Sequence, residues 1–448
     1  MISAVAFLLF AVVCSVLAFV RHPIWGLYFY FSSIYVHPPS RWWGQQLPDL
    51  RWALTSAAVT VAAVAFHRGR LSQRPVWLTT APAAILVIYN LLMWAQTAWA
   101  ADVDANLDGA AQFLKYLVGF WFVYRIADTA ANVRNVLAGH AVGCGLLGLY
   151  AAMQGRQGDR LDGVGGPGID DANTLGMYLA TGVVVCMGLF LAVRHLWRWA
   201  LIPLAGLIFT GFVLANSRGA AVGLLAGVLA LTAACARMHR RQFAILLVVG
   251  LVGAAAVVDR AFIDRFFTIG DVTAESEEAD MSARSRKVII EAQLNMFADH
   301  PMGIGRMGTA KLSPLYLDEK WLTTAHTDGT FAERSSHNTF MSILVEQGVV
   351  GTVIYAALLI WLLAVFVQMR RLQRGEADRE ALTLAGTAWA AIIVVLASGL
   401  GTDYLMAEAQ FWFYAALVSA LQLARAAEPG KVVASGMPTA PRLRGAGL

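Results

Sequence analysis

The stretch AERSSHNTF, residues 332–340, runs a cluster of polar side chains straight into an apolar run long enough to be a membrane helix. Ionisable residues at the edge of hydrocarbon are costly and mark function by default. If Ser336 caps the helix that follows, His337 and Asn338 fill its first positions, where backbone N–H groups are unpaired and point outward. The positive end of the helix dipole disfavours an imidazolium, which keeps His337 neutral and able to accept a proton. The same N-terminus suits a phosphate or diphosphate. The plain alternative is a histidine that sits in the capping region and does no chemistry.

Basic residues elsewhere invite a similar question. In LANSRGAAVG, Arg218 stands at the mouth of a helix, followed by Gly219, Gly223 and Gly227 at a spacing that permits close helix packing. Arg218 either snorkels to the interface or binds an anion. In RSRKVIIEAQLNMFADHPMGIG the pattern predicts an amphipathic helix ended by Pro301 and a glycine-containing loop. Arg286, Ile290, Gln293 and Phe297 share one face at that spacing, so Arg286 is expected on the apolar stripe. Arg284 and Lys287 complete a basic cluster, which is either a solvated patch or an anion site.

The elements that must position these residues are membrane helices. The chain has 448 residues, 58% hydrophobic and 14% charged, with a mean hydropathy of +0.59. Soluble domains average about 25% charged residues. The composition therefore predicts an all-α polytopic integral membrane protein. Apolar runs lie near 1–20, 50–67, 76–100, 110–127, 133–153, 172–194, 199–215, 219–236, 242–258, 340–368, 381–399 and 406–425. These make about 12 transmembrane helices.

Arginines recur in alternate links, around Arg68, Arg125, Arg194, Arg240 and Arg370, and the positive-inside rule places them in the cytoplasm. The parity holds if both termini are cytoplasmic and residues 21–49 are re-entrant or interfacial. Four regions follow: helices 1–9 over 1–258, a periplasmic loop domain over 259–338, helices 10–12 over 339–425, and a cytoplasmic tail, 426–448, expected to be disordered. The first apolar run lacks a cleavage site and is expected to stay as an anchor. Cys14, Cys144, Cys186 and Cys235 all fall inside spans, which suggests packing roles. The net charge of +5 reflects cytoplasmic arginines beside anionic lipid, and no nucleic-acid partner is expected.

Two motif-like stretches fail on context. GVGGPG at 163–168 follows a membrane helix, not a strand, and contains Pro167, so it is no dinucleotide fingerprint. DVDANLDG at 102–109 begins like a calcium loop but has Leu107 and Phe113 where glycine and glutamate are needed. No zinc-ligand or serine-elbow pattern occurs, and neither a metal nor a cofactor is expected.

NSRGA, SRKVIIEAQLNMFADHPMGIG and SHNTFMSILVEQGVVG, in that order, resemble the bacterial O-antigen ligases, within the superfamily that also holds O-antigen polymerases and protein O-oligosaccharyltransferases. The resemblance covers roughly residues 170 to 425. The N-terminal HPIWGLYFYFSSIYVHPPSRWW is also similar to the leading segment of exosortase-associated members. What the resemblance implies is a metal-independent glycosyltransferase at the periplasmic face of the bacterial inner membrane. It would move O-antigen from undecaprenyl diphosphate to a sugar hydroxyl of lipid A-core. The implied catalytic residue is His337, the general base. The implied substrate-binding residues are Arg218 and Arg286, with Arg284 a two-residue alternative to Arg286, and Asn338. Asp403 is a weaker match left outside the site.

Two arginines can grip phosphate oxygens of a leaving diphosphate, and a neutral histidine can take the proton of an attacking hydroxyl. A polymerase or a protein O-oligosaccharyltransferase would use the same donor and the same residues. A solute transporter is the remoter alternative, since its charged site would lie at the midplane.

Overall fold

The computed structural model describes residues 2–156, 158, 160–260, 262–263, 277–322, 333–375 and 377–426, with side chains from 287 onward in the helix that begins at 277. Fifteen α-helices make up the described chain: α1 (Ile2–Val20), α2 (Ile24–Tyr35), α3 (Trp52–Phe66), α4 (Ala81–Gln96) and α5 (Val103–Ile126). They continue as α6 (Ala130–Gln154), α7 (Ala172–Ala192), α8 (Leu201–Ala215), α9 (Arg218–Cys235) and α10 (Arg240–Val257). The remainder are α11 (Glu277–Asp299), α12 (Gly308–Tyr316), α13 (Thr339–Leu372), α14 (Arg379–Ser398) and α15 (Glu408–Ala426). This is an all-α polytopic membrane protein. Among the described residues eight helices are long and apolar enough to cross a bilayer, α3 and α4 are shorter apolar helices, and each expected apolar run falls on a helix. The tail after 426 lies outside the described residues.

The core is built around α7 and α14, which are almost wholly buried, with α9 packed closely on α14. That approach is made possible by glycine. A Cβ at Gly223 would come within 2.8 Å of the Val394 carbonyl oxygen and would also meet the Ser398 hydroxyl. At the rim, by contrast, α10 has no buried residue. All four cysteines are buried and unpaired.

The two ends of the bundle are distinguished by their contacts. At one end Arg74 donates to the carbonyls of Tyr124 and Ala127 (2.6 and 3.0 Å), Arg134 meets Glu380 and His239 meets Thr383, which gathers the arginine-bearing links. Residues 21–49 touch both ends of the bundle. His22 at the start of α2 approaches Asn132 at this basic end, whereas Arg41 beyond its C-terminus stacks 3.8 Å over Tyr150, near the far end of α6. The segment thus runs from one end of the bundle to the other.

The helix itself is only 12 residues, roughly 18 Å at 1.5 Å per residue. It can be short because it is sheltered by protein: Phe31 and Tyr35 pack on Trp412, and the Tyr35 hydroxyl lies 2.5 Å from His140. The start of α1 packs through Phe7 against Trp43 and Trp52, and its end meets His67, so α1 runs parallel to α3. Its N-terminus therefore lies at the end opposite the last turns of α15, where Gln422 meets Tyr124.

At the opposite end, α13 is broken at Gly348 (φ 66°, ψ −166°), a conformation essentially reserved for glycine. The break exposes carbonyls to the loop 300–307. Ile304 N–H donates to Val345 O (3.2 Å), Gly305 N–H to Glu346 O (2.9 Å), and Val349 N–H to Pro301 O (2.9 Å). Gln96, the last residue of α4, donates to Glu346 O (3.0 Å), and from the α4–α5 link Trp99 donates to Gly303 O (3.1 Å) and Ala101 N–H to Ile304 O (2.8 Å). The long insertion is thereby rooted on the membrane helices at its HPMGIG turn.

Candidate functional site

The site is built from two helix termini and the 300–307 turn around the α14–α15 link, residues 399–407. The first is the N-terminus of α13. Asn338 is the capping residue, not Ser336: its side-chain oxygen accepts from Phe340 N–H (2.9 Å) and Met341 N–H (3.2 Å). Its amide nitrogen donates to Leu400 O (3.2 Å), and Thr339 N–H donates to Gly399 O (2.8 Å). The helix begins one residue beyond the cap, at Thr339, because the link carbonyls hold it there.

Two revisions follow. His337 stands before the cap, exposed, and not within the first turn, so the dipole acts on it more weakly than expected. The opening N–H groups of α13 are taken by Asn338 and Gly399, so that terminus is not an open anion cradle. Asn338 itself is committed to backbone through both of its side-chain atoms. Ser336, buried, braces the turn by donating to Asn338 O (3.1 Å).

The second terminus is that of α9. Ser217 caps it by accepting from Ala220 N–H (3.3 Å) and donates to Asn173 (3.0 Å). Arg218 is the first helical residue, as the sequence predicted, and is half-buried. Gly219 next to it lies against Ser398 O and Gly401. The same link therefore touches both the Arg218 turn and the His337 turn.

The third group was not anticipated. Arg306, from the GIGRMG turn, extends one guanidinium nitrogen to Asp403 (2.6 Å) and Glu346 (3.1 Å). Its backbone N–H donates to Asn106 (2.9 Å), and its side chain packs on Gly109 of α5. Burial pulls the guanidinium's pKa down, but Asp403 and Glu346 together outweigh that and hold it above the ordinary arginine range. Arg306 is a permanent charge that ties the inserted loop to α5, α13 and the link. One sequence signal was available: Glu346 is an acid inside an otherwise apolar span, which demands a partner. Asp102, in the stretch that resembled a calcium loop, caps α5 by accepting from Ala105 N–H.

Arg334, three residues before His337, is also half-buried. Its N–H donates to Ser313 of α12 (2.7 Å), and its side-chain Nε is enclosed with no hydrogen-bond partner among the described residues. Arg284 and Arg286 lie on α11, but their side chains fall outside the described residues. The buried stripe of α11 is Ile289, Ala292, Gln293 and Met296, while Ile290 is exposed. The expected stripe was therefore about one residue out of register, because α11 packs on α12 and α13 and not on a flat apolar surface. Lys287 is exposed beside Glu291.

A lateral groove of ≈ 680 Å³ opens between α3, α4 and α5, lined by Trp77, Leu91, Trp94, Leu117 and Trp121 among others. Its α4 wall ends two residues after Trp94 at Gln96, which donates to Glu346 O.

Fold and site together define a polytopic membrane protein with a basic rim at one end and a docked loop with arginine, histidine and carboxylate groups at the other. Residues 203–356, from α8 to the middle of α13, match the family model described as O-antigen ligase. The chain is also similar to the exopolysaccharide production protein ExoQ of Rhizobium meliloti (strain 1021), 25% identical over 302 residues. That alignment covers 64% of this chain and 66% of ExoQ, just under two thirds of that relative's length. Both findings are likenesses, the first to the O-antigen ligase family model over part of the chain and the second to ExoQ.

Proposed function

We propose that the chain is a glycosyltransferase of the inner membrane that transfers O-antigen polysaccharide from undecaprenyl diphosphate to a sugar hydroxyl of lipid A-core, working without a metal at the periplasmic face. The observation that carries this reading is the convergence of the Arg218 and His337 turns on the α14–α15 link, at the end of the bundle away from the basic rim.

The acceptor oxygen attacks the anomeric carbon while the bond from that carbon to the diphosphate oxygen breaks. His337 takes the hydroxyl proton, and the electron pair leaves on the diphosphate. Arg218, with Arg284 or Arg286 from α11, neutralises that leaving charge without having to protonate it. A single displacement inverts the anomeric centre. Asn338 positions His337, since its own polar atoms are spent on backbone. The groove beside Trp94 supports a lateral path for the polyprenyl chain into the site.

The test is reconstitution of the purified chain with undecaprenyl-diphosphate-linked glycan and lipid A-core in the presence of a chelator. A glycan-bearing lipid A product that His337→Ala fails to make supports the proposal. A retained anomer, or full activity in His337→Ala, removes the histidine mechanism. ExoQ's name favours a second reading, in which a growing exopolysaccharide is the acceptor. Elongation of the lipid-linked donor without any lipid A product would establish that polymerase.

A further inference from the structure

At the basic end, a cavity of ≈ 1160 Å³ opens between the α7–α8 link, the α9–α10 link and the start of α14. Arg134, Arg194, Arg198 and Arg379 line it, together with His195 and His239. Its two acids are already engaged. Glu380 accepts from Arg134 at 2.7 Å, and Asp378 caps α14 by accepting from Glu380 N–H and Ala381 N–H at 2.8 and 3.4 Å. His239 is held between Gln242 (2.7 Å) and Thr383 (2.8 Å). Among the described residues Arg194, Arg198 and Arg379 make no ion pair, and the cavity keeps a positive surplus.

The mouth is apolar. The turn Leu196–Ala200 presents Leu196, 78% exposed, with Trp197 and Trp199 also exposed, while the Arg198 guanidinium lies 5.2 Å from the ring centres of Phe190 and Trp199. Exposed tryptophans beside a basic cluster are typical of the membrane–water interface. A site for a soluble anion has no use for such a rim, whereas a lipid needs both halves. Basic pockets between membrane helices take anionic headgroups in this way.

We infer that this cavity is a headgroup pocket for an anionic phospholipid, with phosphate held by Arg194, Arg198 and Arg379 and acyl chains lying along Trp197 and Trp199. Its volume exceeds the common range for small-molecule sites, roughly 300–1,000 Å³, and has room for a headgroup with two phosphates. This site stands apart from the proposed transfer chemistry, at the other end of the bundle.

The test uses the purified full chain in neutral detergent with cardiolipin, phosphatidylcholine or inorganic pyrophosphate, read by native mass spectrometry and by thermal unfolding. Cardiolipin is expected to be retained and to raise the melting temperature, and phosphatidylcholine is not. Retention should weaken roughly fivefold per arginine removed in Arg379→Gln and in the double variant Arg194→Gln/Arg198→Gln, and stay unchanged in Arg371→Gln, which lies at the same end outside the cavity. Arg379→Gln decides alone if the double variant melts early without lipid. Equal retention of phosphatidylcholine, or an equal loss in Arg371→Gln, overturns the pocket. Pyrophosphate stabilising the chain as much as cardiolipin overturns the lipid assignment.

Discussion

The guanidinium of Arg306 lies 2.6 Å from Asp403, a residue 97 positions further along the chain, and its other acid, Glu346, lies in a different helix. The three side chains are largely shielded, with side-chain exposures of 16%, 15% and 4% for Arg306, Asp403 and Glu346. Removing the arginine leaves two buried carboxylates without a counter-ion, and breaking a buried pair costs about 3–5 kcal/mol. Arg306→Gln should lower thermal stability more than Asp403→Asn, which leaves Arg306 with Glu346. Unfolding followed in detergent would decide, and equal melting temperatures would rule out the triad as a latch.

The sign of the Arg306 shift gives a pH expectation. A folded-state pKa above the unfolded value contributes stability that is fully present below the unfolded pKa, and it is lost only as pH rises through the folded one. Arginine's unfolded value already lies well above pH 10. Raising the pH from 7 to 10 should therefore leave the Arg306→Gln stability difference unchanged. A difference that shrinks over that interval would contradict a permanently charged Arg306.

Asn338 offers a way to separate capping from tethering. Asn338→Asp keeps an oxygen for Phe340 N–H and Met341 N–H but loses the donor to Leu400 O, whereas Asn338→Ala loses both. Loss of a cap costs about 1 kcal/mol. Asn338→Ala should lose that stability and Asn338→Asp should not. On the proposed function both variants lower the turnover rate, with little change in donor KM, because His337 loses its fixed position. A pure KM effect in Asn338→Asp would instead mark Asn338 as a donor-binding group.

Gly348→Ala tests the dock between loop and broken helix. The backbone there is glycine-only, and an added Cβ would stand 2.6 Å from Pro301 O. Strain of this kind costs on the order of 1–3 kcal/mol before any clash. Limited proteolysis should cut the 300–307 turn faster in this variant than in wild type. Gly250→Ala, where the added atom meets nothing, should be silent.

On the proposed chemistry, His337→Ala should lower the transfer rate by about 10²–10⁴-fold with donor affinity nearly unchanged, as for loss of a general base. Arg218→Gln should weaken donor binding and rate together. Single-turnover measurements with a lipid diphosphate donor separate the two. Equal behaviour of both variants would argue against distinct proton-transfer and charge-binding roles.

The sequence by itself determined where the membrane helices lie, because a bilayer imposes length and apolarity on each segment independently of its neighbours. It also determined that Arg218 opens α9, a local statement about a helix start, whereas it put the cap of α13 at Ser336 and so placed His337 inside the first turn. Tertiary structure decided what depends on distant partners. The cap fell to Asn338 because Gly399 and Leu400, some 60 residues away, hold the turn at that register. The short α2 traverses the bundle because protein covers it, and hydropathy cannot report that. Arg306, Glu346 and Asp403 meet because α13 breaks at Gly348 and the inserted loop docks there. A charge in a sequence shows that a partner is needed, and only the folded chain shows which one.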